Sequence, residues 1–328
     1  MVLSWIYELA VRFVLWCYRL KIFSSQALSK PVISIGNITL GGVGKTPCVV
    51  WLAGFLKERQ LKPAVLIRGY MEHGDDKGNS DEAKLLKSQF GDVPIAIGRD
   101  RVQKAKDILA NNTVDCFILD DGFQHWRLKR DLDIVLIDAT NPFGNGKLLP
   151  RGILRELPDS LKRAEVIVLT KTSFAKENVY ALKERLLEIN PACLIAEAVH
   201  RPVNVVDVRH NQTYEMSFLK GKRVCSLCAI GDPKSFESSL LQSGAHIIKS
   251  FAFMDHHRYS DVDIKKVCDY CRQNGITDII TTQKDAIKLN DFQKDFSNGF
   301  NLLVLKIAFE LRNGKNEIQS RISHLLNR

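Results

Sequence analysis

Short apolar runs without polar alternation punctuate the whole chain, and they constrain its fold more than any other feature. In order they are Val32–Ile35, Ala64–Ile67, Val93–Ile97, Cys116–Leu119, Ile134–Ile137 and Val166–Leu169. A second series follows: Leu194–Ala198, Val224–Ala229, Ile247–Phe251, Asp278–Thr281 and Leu302–Leu305. A strand with one wet face alternates apolar and polar residues, whereas a strand covered on both faces reads as unbroken Val, Ile and Leu. Helical patterns separate the runs, as crossovers between parallel strands require. The predicted class is α/β, with two Rossmann-like or P-loop α/β domains and mostly parallel sheets. At 328 residues the chain is long enough for two cores.

One run leads into a phosphate-binding pattern. Pro31–Ile35 reads as a strand, Gly36–Gly44 as a glycine-rich turn, and Lys45-Thr46-Pro47 as the start of a helix. That order lets backbone N–H groups close on phosphates while the helix N-terminus adds positive potential. Gly41, Gly42, Val43, Gly44, Lys45 and Thr46 are the candidate nucleotide-binding residues, with Lys45 on the β/γ-phosphates and the Thr46 hydroxyl on Mg²⁺. The standard pattern has glycine where Thr39 stands. Pro47 costs the helix nothing, because an N–H in the first turn has no intrahelical partner.

Three further clusters could complete such a site. Asp120-Asp121 end a predicted strand, where carboxylates suit Mg²⁺ coordination, although an Asp-Asp-Gly turn is the plainer reading. Gln124-His125-Trp126-Arg127 follow directly. Ser80-Asp81-Glu82 offers carboxylates at the start of a helix, or simply an N-cap. Asp255-His256-His257 concentrates imidazole and carboxylate, either for general-base chemistry or as a solvated loop.

The first residues read differently. Met1–Phe23 is apolar almost all round, and Ser4, Glu8, Arg12 and Arg19 share one stripe of a helix, with Glu8 and Arg12 paired at i, i+4. Charges at 8, 12 and 19 interrupt any transmembrane span of the usual ~20 apolar residues. The positive opening of a signal peptide is missing. A helix lying in a membrane interface is expected, with packing on the protein's own core as the alternative. The net charge of +10 fits anionic lipid or phosphorylated ligands, and no aromatic-basic interleaving points to nucleic acid. The predicted division is a helix over 1–28, a phosphate-loop domain over 29–190, a linker with short strands over 191–220 and a smaller α/β domain over 221–328.

Eight cysteines include two Cys-x-x-Cys pairs, Cys225/Cys228 and Cys268/Cys271. Zinc could bind four such thiolates. The first pair lies on a predicted strand, where residues three apart face opposite ways, and the second on a predicted helix, neither with a knuckle turn. Buried free thiols and no zinc are expected, which suits a reducing compartment.

Taken together, these motifs resemble one family, the tetraacyldisaccharide 4′-kinases of lipid A biosynthesis in Gram-negative bacteria. The resemblance rests on Gly36-Asn37-x-Thr39-x-Gly41-Gly42-x-Gly44-Lys45-Thr46-Pro47, Arg68-Gly69-Tyr70, Asp81-Glu82 and Asp120-Asp121-Gly122-Phe123-Gln124-His125. It continues through Arg127-Leu128-x-Arg130-Asp131, Pro150-x-Gly152-x-Leu154-Arg155-Glu156, Asp255-His256-His257-x-Tyr259 and Thr282-x-Lys284-Asp285. Thr39 belongs to the family's own loop. Ser80, Ala83, Met254 and Gln283 depart from the family's usual residues.

The resemblance implies transfer of the ATP γ-phosphate to the 4′-hydroxyl of a tetraacylated glucosamine disaccharide 1-phosphate, with Mg²⁺, giving lipid IVA. It implies a monotopic protein on the cytoplasmic face of the inner membrane. Asp81 with His256, or else His257, would act as base on the acceptor. Glu82, Asp120, Asp121, Gln124, His125, Arg155 and Glu156 would line the site, and Thr282, Lys284 and Asp285 form a second-domain motif with no assigned task. The rival reading is a membrane-associated P-loop ATPase or GTPase of the partitioning or metallochaperone type. That type carries lysine where Leu40 stands, and no guanine-reading Asn-Lys-x-Asp is present.

Overall fold

The computed structural model describes residues 2–69, 87, 91–175, 179–255, 257–296 and 299–327. The chain forms two units, Met1–His200 with Phe309–Arg328, and Arg201–Ala308.

In the first unit the apolar runs become β1 (Val32–Gly36), β2 (Pro63–Ile67), β3 (Ile95–Ile97), β4 (Cys116–Asp120), β5 (Leu132–Asp138), β6 (Val166–Thr170) and the start of β7 (Leu194–Asp207). Their order is β7-β6-β5-β1-β4-β2-β3, and neighbouring strands run parallel. Both faces are covered, which is why the runs lack alternation. Ile33, Ile35, Ile118 and Ile134 bury with Val49, Leu52 and Leu56 of α2 (Lys45–Glu58). Val32, Phe117 and Leu119 point the other way, onto Val102, Ala105 and Ile108 of α3 (Arg101–Asn111). Val135, Ile137 and Ile167 meet Leu182 and Leu186 of α4 (Val179–Ile189). The order turns about β1, with β4 on one side and β5 on the other, so the carboxyl ends of these strands frame the crevice where open α/β sheets bind ligands.

In the second unit β10 (His246–Ala252), β9 (Arg223–Cys228), β11 (Asp278–Thr282) and the first part of β12 (Asn301–Asn313) lie side by side and parallel, in that order. Cys225 and Leu227 bury against Ile264, Val267, Cys268 and Cys271 of α6 (Asp261–Gln273). Cys228 and Val224 bury on the opposite face, with Phe236 and Leu240 of α5 (Pro233–Gln242). The two cysteines of the first pair thus enter different cores, as strand geometry dictates.

Two boundaries differ from the expected division. Phe309–Arg328 belongs with the first unit, because Phe309, Leu311, Ile318 and Ile322 bury in the same core as Ile33 and Leu52. A division by chain order could not anticipate this return. The expected linker is largely strand: β7 continues to Asp207 and pairs antiparallel with β8 (Gln212–Glu215) through Asn204↔Glu215 and Val205↔Tyr214. Polar side chains on its open face gave this stretch the texture of a loop.

The N-terminal helix α1 spans Val2–Arg19. Ser4 does not share a solvent stripe with Glu8 and Arg12: it is buried, and its hydroxyl accepts a hydrogen bond from Arg151 N at 3.1 Å. Tyr7 Oη donates to the Arg155 carbonyl at 3.0 Å, so this edge of α1 packs on the unit it belongs to. Glu8 and Arg12 pair at 2.7 Å as the spacing predicts. Among the described residues, no helix is long and apolar enough to cross a membrane.

Candidate active site

The turn after β1 is held by its own side chains. Asn37 is fully buried, and its Nδ2 donates to the Thr39 carbonyl at 2.6 Å while its Oδ1 accepts from Lys45 Nζ at 3.1 Å. Gly41 and Gly44 adopt positive φ of 114° and 90°, a region costly for other residues. Gly44 has a second constraint, since a Cβ there would sit 2.3 Å from His200 Nε2. Gly36 allows close approach: a Cβ would lie 2.5 Å from Phe123 Cβ and 2.7 Å from Phe123 N. The first glycine of the motif therefore lets the chain after β4 pass against the end of β1.

A distant segment clamps the turn from outside. Leu40 N donates to the Ile153 carbonyl at 2.7 Å, and Arg155 N donates to the Ile38 carbonyl at 2.7 Å. This zipper delivers Arg155 and Glu156 to the crevice. Arg155 Nη1 donates to both oxygens of Asp121 at 2.9 Å, and Lys45 Nζ lies 3.4 Å from the same carboxylate. Asp121 sits at φ 50°, in the left-handed region that Asp tolerates better than most residues. Gln124 Nε2 bridges the Asn37 carbonyl at 2.9 Å and Glu156 Oε1 at 3.1 Å. Glu156 is buried and pairs with Arg163 at 3.1 Å. Lys45, Asp121, Gln124, Arg155 and Glu156 thus form one connected network.

Asp120 is buried at the end of β4, and its carbonyl accepts from Arg101 Nη2 at 3.3 Å. Burial holds the His125 imidazole down to about 4, helped by the Arg101, Arg130 and Arg127 guanidiniums. A neutral imidazole is thus the form at neutral pH, a hydrogen-bonding group rather than a charge. Arg101 and Arg163 escaped the sequence reading. Arg101 opens α3 and Arg163 ends the short 3₁₀ turn Pro158–Arg163, and neither lies in a motif that the sequence analysis singled out.

Asp81, Glu82 and His256 lie outside the described residues. Asp255 and His257 belong to the second unit, each with a partner there. Lys284 Nζ donates to Asp255 Oδ1 at 3.2 Å. His257 Nε2 lies 3.1 Å from Asp263 Oδ2, and its ring stacks on Phe253 at 4.7 Å. Asp263 also closes the capping box of α6 with Ser260. The Thr282-x-Lys284-Asp285 motif opens α7 (Gln283–Leu289) and has a structural task. Asp285 is fully buried; its Oδ2 accepts from Thr282 Oγ1 at 2.7 Å and from Ala229 N at 3.0 Å, and Lys288 Nζ lies 3.7 Å from its Oδ1.

Comparison with known proteins shows the family. The family model described as "Tetraacyldisaccharide-1-P 4′-kinase" matches residues 1–327. The chain belongs to this family. A tetraacyldisaccharide 4′-kinase of Halothermothrix orenii is 34% identical, the match covering 95% of this chain and 88% of that protein. Another, from Syntrophus aciditrophicus, is 37% identical over 84% of this chain and 80% of that protein. The crystal structure of LpxK from Aquifex aeolicus in complex with ATP superposes with a TM-score of 0.75 at 26% identity, covering 99% of this chain and 97% of that one. The tetraacyldisaccharide 4′-kinase family accounts for the whole run of motifs from Gly36 to Asp285, and the ATPase or GTPase rival accounts only for the loop.

Proposed function

We propose that Lys45, Thr46, Asp120, Asp121 and Arg155 form the donor half of the site at which this ATP-dependent kinase phosphorylates the 4′-hydroxyl of a tetraacyldisaccharide 1-phosphate. The observation that carries this reading is the shared carboxylate of Asp121, on which Lys45 and Arg155 converge. Two cations held on one carboxylate are pre-aimed at an anion, and phosphoryl transfer depends on positioning and charge neutralisation more than on covalent chemistry. The glycines of the turn present backbone N–H groups, and Lys45 meets the terminal phosphates once they replace Asp121 as its partner. Gln124 and Glu156 keep Arg155 and the turn in register.

Magnesium suits the donor set. Thr46 and Asp120 supply hard oxygens, and magnesium needs only one or two protein ligands beside phosphate oxygens and water. Asp121 is the weaker metal ligand, since both its oxygens already accept from Arg155. When bound, the ion offsets charge on the phosphate oxygens.

Asp81 with His256 acts on the acceptor hydroxyl in this reading. His256 is favoured over His257 because Asp263 and Phe253 already engage His257. Asp81→Ala lowers kcat far more than it weakens ATP binding, as steady-state kinetics with nucleotide titration would read; equal losses would remove Asp81 from the acceptor step.

α1 serves as the membrane contact. Leu3, Trp5, Ile6, Leu9, Phe13 and Trp16 are all more than half exposed, a continuous apolar face that water does not favour. A lipid acceptor stays in its bilayer, so the enzyme must come to it. Deleting residues 2–24 leaves a folded protein by circular dichroism and lowers its recovery with membrane vesicles severalfold; unchanged recovery would rule α1 out as the contact.

A further inference from the structure

The end of α1 and the segment after β4 border a half-open cavity of about 380 Å³, within the ordinary range of ~300–1,000 Å³ for small-ligand sites. Arg19, Lys129, Arg130 and Arg163 line it together with Tyr18 and Trp126, and among the described residues no carboxylate does. Two of the cations are neutralised from behind: Arg130 pairs with Asp133 at 2.9 Å and Arg163 with Glu156 at 3.1 Å. The other two are not. Arg19 and Lys129 are exposed and, among the described residues, have no ion-pair partner.

The walls are preformed. Lys129 N donates to the Gln26 carbonyl and Gln26 N to the Arg127 carbonyl, each at 2.8 Å. Ser25 Oγ donates to the Trp126 carbonyl at 2.6 Å, and the Tyr18 and Trp126 rings stand 5.9 Å apart. Arg163 lies 4.1 Å over the Trp126 ring, which fixes that ring from its other neighbour. A site ordered before binding loses little conformational freedom when it fills.

Its surroundings select among anions. Trp16, Leu20, Ile22 and Phe23, within three residues of the lining residues in sequence, are exposed apolar side chains. A free phosphate or a nucleotide has nothing to lay on them, whereas a lipid does. Tyr18 and Trp126 are amphipathic rings of the kind that settle at headgroup depth. We propose that this cavity binds the phosphate of an anionic phospholipid headgroup, so that α1 docks by a specific lipid contact as well as by its apolar face. The inference rests on α1 being the membrane contact.

Co-sedimentation of the full chain with phosphatidylcholine vesicles, with and without phosphatidylglycerol, separates the two ideas. The wild type binds both and binds the anionic vesicles more tightly. Arg19→Ala/Lys129→Ala loses most of that anionic gain, about tenfold, and keeps its binding to neutral vesicles. Lys106→Ala/Lys315→Ala removes the same charge from exposed positions elsewhere and keeps the gain. Equal losses in the two double variants would overturn the pocket in favour of diffuse charge. An unchanged anionic gain with a raised KM for the acceptor in neutral detergent would overturn it too, by giving the cavity to the acceptor's own phosphate. A wild type that ignores neutral vesicles contradicts the α1 reading alone. The cavity is then judged with dihexanoyl phosphatidylglycerol in solution: saturable binding lost in the Arg19/Lys129 variant supports it, and no binding overturns it.

Discussion

Lys45→Ala lowers kcat/KM for lipid phosphorylation by about 10³-fold or more, or ~4 kcal/mol of transition-state stabilisation. In the proposed site Lys45 is the cation that the turn itself supplies, held by Asn37 Oδ1 and the Asp121 carboxylate. Arg155 keeps its two hydrogen bonds to Asp121, and Gln124 its bond to the Asn37 carbonyl, when Lys45 is removed. The same contacts keep the fold intact without Lys45, because Arg155 still neutralises Asp121. Thermal unfolding of the variant should stay within a few degrees of the wild type, where a surface-like substitution is worth about 0.5 kcal/mol. A large fall in melting temperature would mean that lost folding, not lost phosphate contact, explains the lost turnover.

Asp285→Ala has the largest effect on stability, about 3–5 kcal/mol in urea unfolding. Its carboxylate is fully buried, joins the end of β9 to the start of α7 through Ala229 N and Thr282, and stands beside the buried Lys288 ammonium. Removing it leaves a buried cation and an amide N–H without that acceptor. Asp285→Asn keeps the shape and one acceptor oxygen and should cost less than half as much. If the two variants were equally destabilised, charge rather than hydrogen bonding would be the decisive contribution. Burial pushes the neighbouring Tyr259 phenol well above its ordinary range, and the Asp285 carboxylate adds to that shift.

The strands were legible because parallel strands buried on both faces leave unbroken apolar runs. Each predicted run in the first unit lies in or overlaps one of β1 to β7. The turn was legible because glycine, lysine and threonine carry its chemistry in sequence order. What pins the turn was not. Arg155 reaches Asp121 from 34 residues away along the chain, and the Leu40–Ile153 and Ile38–Arg155 backbone bonds leave no mark on composition. Resemblance supplied those positions, and geometry supplied the reason for them. Asn37 and Gly36 show the same division: the resemblance names them, but contact with Lys45 and Phe123 explains a buried amide and a missing Cβ. The fate of 309–328 was hidden for another reason. The helix Lys315–Leu326 buries Ile318 and Ile322, and an apolar stripe shows that a helix packs but not on which core.

The most direct test of the account is transfer of label from [γ-³²P]ATP by the purified chain to the tetraacylated disaccharide 1-phosphate in detergent with Mg²⁺. The account predicts label at the 4′-position of the lipid with the wild type and almost none with Lys45→Ala. Nucleotide hydrolysis with GTP preferred over ATP, and no labelled lipid, would contradict it.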